Sequence, residues 1–467
     1  MFLRPDFPLI RQLLRLALPL ILSMTGYMLM QFVDGVFLAW HSEAAVAAVG
    51  PAGMAAFLIS SLFVGVAGYT GTLVAQYTGA ERGNRIAAAV WQGIYLALAS
   101  GLLVATCGPL GGWLFTVVGH QGLVRGYEAR YFAIICYGTP LALLGTAVSG
   151  FFTGRGDTRT LMGVQVGGLL LNGVLAWLLI FGKLGFPAWG ITGAAVATVT
   201  AQGAVALALT VLFLRARHRR EFATWSGRGC DREMMARLLR FGLPSGFRLA
   251  VEILGWTAFL FFVGRLGTPE LATTSIAWRI NGLAFFPIIG VSEAIRILVG
   301  QAQGRGDPQT AVRVTIQGSL VAELWMLAAT VVFLLAPRQL YALFQGIGIN
   351  PVEFEQLRET GVVLLRFVAI YCLMDAFNMT ILGALMAAGD TRWTFGATCF
   401  LYALFIGGLA LADFLRLGLY AEWTWATLFV LLLAGTWIWR FRSGAWKRIR
   451  VIEAEPGPPE SDPPGAA

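Results

Sequence analysis

The chain has 467 residues, of which 57% are hydrophobic and only 13% charged, about half the charge of a soluble domain. Its net charge of +9 sits in alternate loops between apolar runs, the placement expected beside anionic lipid rather than on a nucleic-acid-binding face. The only lysines, Lys183 and Lys447, lie outside any GxxxxGK[ST] loop, the three histidines form no HExxH, and the five cysteines form no CxxC pair. These absences argue against an ATPase, a metalloenzyme or a redox enzyme.

Twelve apolar segments are long enough to cross a bilayer: 14–38, 45–76, 87–117, 127–152, 160–181, 189–214, 238–264, 271–300, 311–336, 357–386, 394–412 and 423–440. Arg4, Arg11 and Arg15 lead directly into the first, which is too long for a signal h-region, so no cleavable leader is expected. Helix 1 carries Gln31 and, one turn later, Asp34. The loops after helices 2 and 4 hold Arg82 and Arg85, then Arg155 and Arg159, and helix 5 carries Asn172. Seven arginines crowd residues 215–237, read as a linker between residues 1–214 and 238–450. Helix 7 brings Arg248, Glu252 and Trp256 at successive turns, with Glu252 about 12 Å past Pro244 and so near mid-membrane. Trp256 is expected at a cavity, and an Arg248–Glu252 pair would pre-empt cation binding there.

Helix 8 has Glu293 and Arg296 one turn apart, an expected pair at the cavity rim, while Glu323 in helix 9 has no counterpart in the other half. In helix 10, Tyr371, Asp375 and Asn378 fall at i−4, i and i+3 and share a face. A phenol, a carboxylate and an amide in one stripe suit a hard monovalent ion such as Na⁺, or a carboxylate that carries a proton. Ionisable groups at this depth cost about 2.5–3.5 kcal/mol, so each needs a function or a partner. Asp157 and Asp390, in two GDTR loops, are expected helix N-caps. Residues 451–467, acidic and proline-rich, read as a disordered tail. The even loops are arginine-rich, so both termini are expected in the cytoplasm, with the protein in the cell (inner) membrane.

The halves repeat. LVAQYTGAERG at 73–83 aligns with LVGQAQGRGDP at 298–308, an offset of 225 residues that also pairs Leu18-Pro19 with Leu243-Pro244 and Gln92-Gly93 with Gln317-Gly318. GDTR at 156–159 recurs at 389–392, so about eight extra residues are expected near 345–356. Six helices per repeat is an even number, so both halves enter the membrane in the same sense. An all-α fold follows, with two six-helix lobes related by a pseudo-twofold axis along the membrane normal and a substrate path between them.

The entry helix LPLILSMTGYMLMQFVDGVFLAW, the stretches GFFTGRGDTRT and LLIFGKLGFPAWGITGAAVATVTAQ, and the later FGLPSGFRLAVE and YCLMDAFN resemble, in this order, the multidrug and toxic compound extrusion (MATE) family. The likeness covers about residues 10–450, nearest to the NorM-type branch. It implies export of small amphipathic, often cationic, organic compounds in exchange for Na⁺ or H⁺, by a protein in contact with membrane lipid. No nucleic acid, further cofactor or enzymatic activity is implied, and a monomer is expected.

The resemblance assigns cation coupling to Glu252, Tyr371 and Asp375, which a Na⁺ ion would use with Asn378. It assigns rearrangement of the N-terminal lobe to Asp34, with Asn172 at the partner position. Ala176 stands where some proton-coupled members carry an aspartate. Gln31, Asn172, Arg248 and Trp256 complete the expected cavity. A lipid-linked oligosaccharide flippase of the same superfamily is the alternative. Arg248, Arg279 and Arg296 would serve its pyrophosphate headgroup, whereas the acidic set and the count of twelve helices disfavour it.

Overall fold

Long apolar runs with nowhere to bond their backbone except within themselves must coil into helices, and among the described residues twelve do so. They are α1 (Phe7–His41), α2 (Glu43–Gly79), α3 (Gly83–Ala105), α4 (Gly122–Gly154), α5 (Thr158–Phe181), α6 (Ile191–Phe213), α7 (Arg232–Leu266), α8 (Thr268–Gly304), α9 (Pro308–Leu335), α10 (Pro351–Ala387), α11 (Thr391–Phe414) and α12 (Leu419–Ser443). The computed structural model describes residues 5–345 and 351–453, and among these there is no strand. The helices form two lobes, α1–α6 and α7–α12, meeting mainly where α1 and α2 pack on α7 and α8. The face carrying both described chain ends and the even loops is called the basic face below.

Local chemistry sets the boundaries. Four of the helices that rise from the basic face, α1, α5, α7 and α9, begin at aspartates: Asp6, Asp157, Asp231 and Asp307 each accept a backbone N–H from the first turn, whereas α3 follows Arg82 without a side-chain cap. The Asp231 cap starts α7 at Arg232, six residues before the expected 238. Asp390 departs from the expectation: it makes no side-chain cap bond, because Arg440 on α12 takes both of its oxygens at 2.7 and 3.1 Å. The expected span 87–117 is broken after Ala105, where Pro109 enforces a 3-10 turn before the short helix Gly111–Val117. The expected insertion near 345–356 falls partly on residues 346–350, outside the described residues.

The segment between the lobes is not a loose tether. Its short helix Ala216–Phe222 lies on the N-terminal lobe, with the Arg155 guanidinium 4.1 Å above the Phe222 ring and His218 against Phe151. Trp91 and Gln92 donate to its Thr224 and Gly229 carbonyls at 2.7 and 3.0 Å. Residues 451–453, expected in the tail, are packed and bonded. Trp446 and Val451 are buried and Glu453 is bonded on the basic face, while residues 454–467 lie outside the described residues.

The sequence repeat appears as reciprocal contacts between lobes. Gln76 of α2 donates to the Ala387 carbonyl at the end of α10 at 2.8 Å, and its equivalent Gln301 of α8 donates to the Gly154 carbonyl at the end of α4 at 2.9 Å. Gly79 and Gly304, again 225 residues apart, lie so close to the Gln301 and Gln76 backbones that a Cβ would overlap them. Deeper in the membrane, Gly65 and Gly246 bring α2 and α7 into backbone contact. Together these contacts close the basic side of the seam between the lobes.

Candidate functional site

In the N-terminal lobe, Asp34 points inward from α1 and is 5% exposed. Its carboxylate accepts two bonds from the Asn172 amide of α5, at 2.9 and 3.2 Å. The Thr198 hydroxyl of α6 lies 3.5 Å from the second oxygen and 3.0 Å from its own helix's Ala194 carbonyl, so one proton is shared between two acceptors. Ala176, one turn past Asn172, is fully buried, and Ala194, Ala195 and Ala197 continue the same apolar cluster. Small side chains let α1, α5 and α6 approach closely enough for three polar groups from three helices to meet. The Asn172 carbonyl oxygen is buried without a partner. Gln31, one turn before Asp34, is exposed.

The C-terminal lobe holds a larger set. Asp375 accepts the Asn378 amide at 3.0 Å, and the carbonyl oxygen of that same amide is buried and unpartnered. Tyr371, one turn earlier, is buried and within electrostatic range of Asp375. The Cys372 thiol donates to Asn281 of α8 at 3.2 Å, fixing this stretch of α10 against its neighbour. On α7, Arg248 and Glu252 form the anticipated pair at 2.6 Å, leaving the Arg248 Nε buried and unpartnered.

Tyr402 of α11 stands over Gly255, where a Cβ would overlap its ring, and within electrostatic range of Glu252, Arg248 and Asp375. Trp256 lies beside Tyr402 and packs on Trp278 and Phe405 at 5.6 Å, inside an aromatic cluster of the C-terminal lobe. The six C-terminal residues expected from sequence thus gather around α7, α10 and α11. Thr198, Asn281 and Tyr402 were missed, since a lone hydroxyl or amide in an apolar run carries no distinguishing pattern.

Between the lobes, Arg296 pairs with Glu293 at 2.8 Å, as expected, and also donates to Thr72 of α2 at 3.1 Å. Glu323 is half-buried with one oxygen unpartnered, and the structure assigns it no role. Buried carboxylates bonded by amide N–H groups whose own oxygens are unpartnered, with an ion pair near one of them, can hold or release a small cation.

The MatE family model matches residues 19–178 and 244–407, one block in each lobe and most of the chain. The chain belongs to the MatE family. It is 26% identical over 465 residues to a protein of Thermotoga maritima named as a probable multidrug resistance protein NorM, covering 97% of this chain and 96% of that one. A protein of the same name from Pseudomonas putida is 31% identical over 402 residues, covering 84% and 85% of the two chains.

Among solved structures, an outward-facing multidrug resistance MATE transporter of the MOP superfamily superposes with a TM-score of 0.85 at 22% identity, over 94% of this chain and 97% of that one. A MOP superfamily transporter from Pyrococcus furiosus, described as having a binding pocket of reversed polarity, superposes at 0.84 with 22% identity and the same coverage. The twelve-helix, two-lobe architecture is therefore that of MATE transporters.

Proposed function

We propose that this member of the MatE family is a multidrug efflux transporter, a secondary active antiporter that exports amphipathic, cationic organic compounds in exchange for Na⁺ or H⁺. The observation that carries this reading is a buried carboxylate in each lobe, Asp34 and Asp375, each held by an asparagine amide and neither in an ion pair among the described residues. An anion kept in a low-dielectric interior attracts an organic cation and gives it up when a small cation neutralises the charge. The lobes would rock about their glycine-lined seam, exposing the path between them to each side in turn.

Na⁺ at the C-terminal site is the favoured coupling ion. Glu252 is engaged by Arg248, which leaves the Asp375 carboxylate, the free Asn378 oxygen and the Tyr371 hydroxyl as ligands for a hard ion. Asp34, with only neutral donors around it, suits a proton as a second input. The protein would act as a monomer in the inner membrane with the basic face in the cytoplasm, since arginine crowds that face.

Efflux from proteoliposomes tests the reading. A Na⁺ gradient at fixed pH should drive export of a lipophilic cation. Export driven by a pH gradient alone, with no response to Na⁺, would remove Na⁺ from Asp375, and export driven by neither would end the antiporter reading. Exposed Cys230 should resist an impermeant thiol reagent applied outside intact cells.

A further inference from the structure

The most densely bonded charge cluster outside the two lobe sites lies on the basic face, and its centre comes from the end of the chain. After α12, Trp446 stacks on Phe441 with centroids 5.0 Å apart, and Val451 is buried against Gly389 in the second GDTR loop. This strap carries Glu453 from the C-terminal lobe across to the N-terminal lobe. There its carboxylate accepts the Tyr77 hydroxyl at 2.8 Å and the Arg85 Nε at 3.0 Å, and Arg82 donates to its backbone carbonyl at 3.0 Å. Arg237 of α7 pairs with the same carboxylate and also donates to the Tyr77 hydroxyl at 3.3 Å. The participating guanidiniums are well shielded, with the Arg237 side chain 16% and the Arg82 side chain 18% exposed.

Tyr77 belongs to α2, Arg82 to the turn after it and Arg85 to the first turn of α3, whereas Arg237 and Glu453 belong to the C-terminal lobe. The carboxylate is thus gripped from both sides of the seam that Gln76 and Gln301 close. Without an anion there, three guanidiniums from two lobes would face one another with, among the described residues, only Asp231 and Glu233 paired to them.

We propose that Tyr77, Arg82, Arg85 and Arg237 form an inter-lobe carboxylate site whose resident ligand is Glu453, and that filling it holds the basic face closed. Opening that face must pull Arg82 and Arg85 away from Arg237, so the carboxylate loses ligands from one lobe and the strap acts as a latch. The proposal rests on the rocking-lobe reading above but not on the identity of the exported compound or coupling ion.

The experiment measures the distance between spin labels at exposed Glu81→Cys and Arg305→Cys, one on each lobe, in the full chain with native cysteines replaced. Glu453→Gln should raise the ratio of long to short distances about fivefold or more. Arg237→Gln should do the same, and the double variant no more than either alone. Raising salt from about 0.05 to 1 M should move the parent in the same direction by screening the cluster, and move Glu453→Gln clearly less, since among the described residues only the Arg85–Asp231 ion pair then still joins the lobes there. Unchanged distances in Glu453→Gln, simple addition in the double variant, or an equal salt response in both chains would each overturn the latch. Because the readout is lobe separation without substrate or gradient, its failure is distinct from failure of the efflux reading.

Discussion

Asp34 sits among alanines with two neutral donors from neighbouring helices, whereas Asp375 sits beside a second carboxylate, an arginine and two tyrosines within an aromatic cluster. The two lobes share a repeat and a fold, and their seam contacts correspond at offsets of 225 and 233 residues. Duplication has therefore kept the surface where the lobes meet and let their interiors diverge. A seam about a pseudo-twofold axis has to fit its own rotated copy, so both copies are held to one shape. The interiors are free to differ: Asp34 meets one amide and one hydroxyl, while Asp375 lies near Asn378, Tyr371 and Glu252.

The contrast breaks first at Asp375. Asp375→Asn should lower gradient-driven accumulation about fiftyfold, the ratio one coupling charge sustains across 100 mV, in protein that still elutes as a folded particle. Asp34→Asn should lose less, and equal losses would remove the asymmetry between the lobes.

Arg248 sharpens the comparison from the opposite direction. Arg248→Met frees Glu252 beside Asp375, removing a positive charge worth a few kcal/mol at that range, so the Na⁺ concentration for half-maximal export should fall about tenfold. The same variant should melt at a lower temperature, because it leaves a carboxylate unpaired in a partly buried site. An unaltered Na⁺ response would show that Glu252 takes no part.

In the N-terminal lobe, Asn172→Ala removes both amide bonds to Asp34, hydrogen bonds to a charged group being worth about 1.5–3 kcal/mol. Export should fall about ten- to a hundredfold by that reckoning, with the pH dependence altered and the Na⁺ dependence retained. Thr198→Val, which removes only the longer contact, should cost two- to threefold at roughly 0.5 kcal/mol. A change in Na⁺ dependence from either would tie the two sites together.

The seam predicts symmetry where the interiors predict difference. Gln76→Ala and Gln301→Ala should each destabilise by about 1 kcal/mol in thermal unfolding, and by the same amount. The smallest effect belongs to Asp307, where Thr310's hydroxyl and amide hold the carboxyl below its ordinary value of 3.8. Asp307→Ala should cost about 1 kcal/mol near neutrality. A depressed carboxylate stabilises above its ordinary value and loses that contribution as pH falls through its lower folded one, so the difference should shrink below about pH 4.

By itself the sequence determined the spans, their number, the basic face, the repeat and the residues whose charge cannot be idle in a membrane. These are properties of composition and of a 3.6-residue period, which fix how a helix is built and which of its faces is polar. The period also put Tyr371, Asp375 and Asn378 on one face, and it put Arg248 against Glu252. Only the tertiary structure decided what stands opposite those faces. Thr198 lies 164 residues from Asp34, Gln76 lies 311 from Ala387, and Glu453 lies 368 from Arg85. It also decided details the sequence left open or misread: residues 216–229 of the linker pack on the N-terminal lobe, Asp390 serves Arg440 instead of a helix end, and residues 451–453 form a bonded strap. A helix specifies its own face through neighbours three and four residues away. The partner of that face is chosen by the packing of all twelve helices together, which no local period contains.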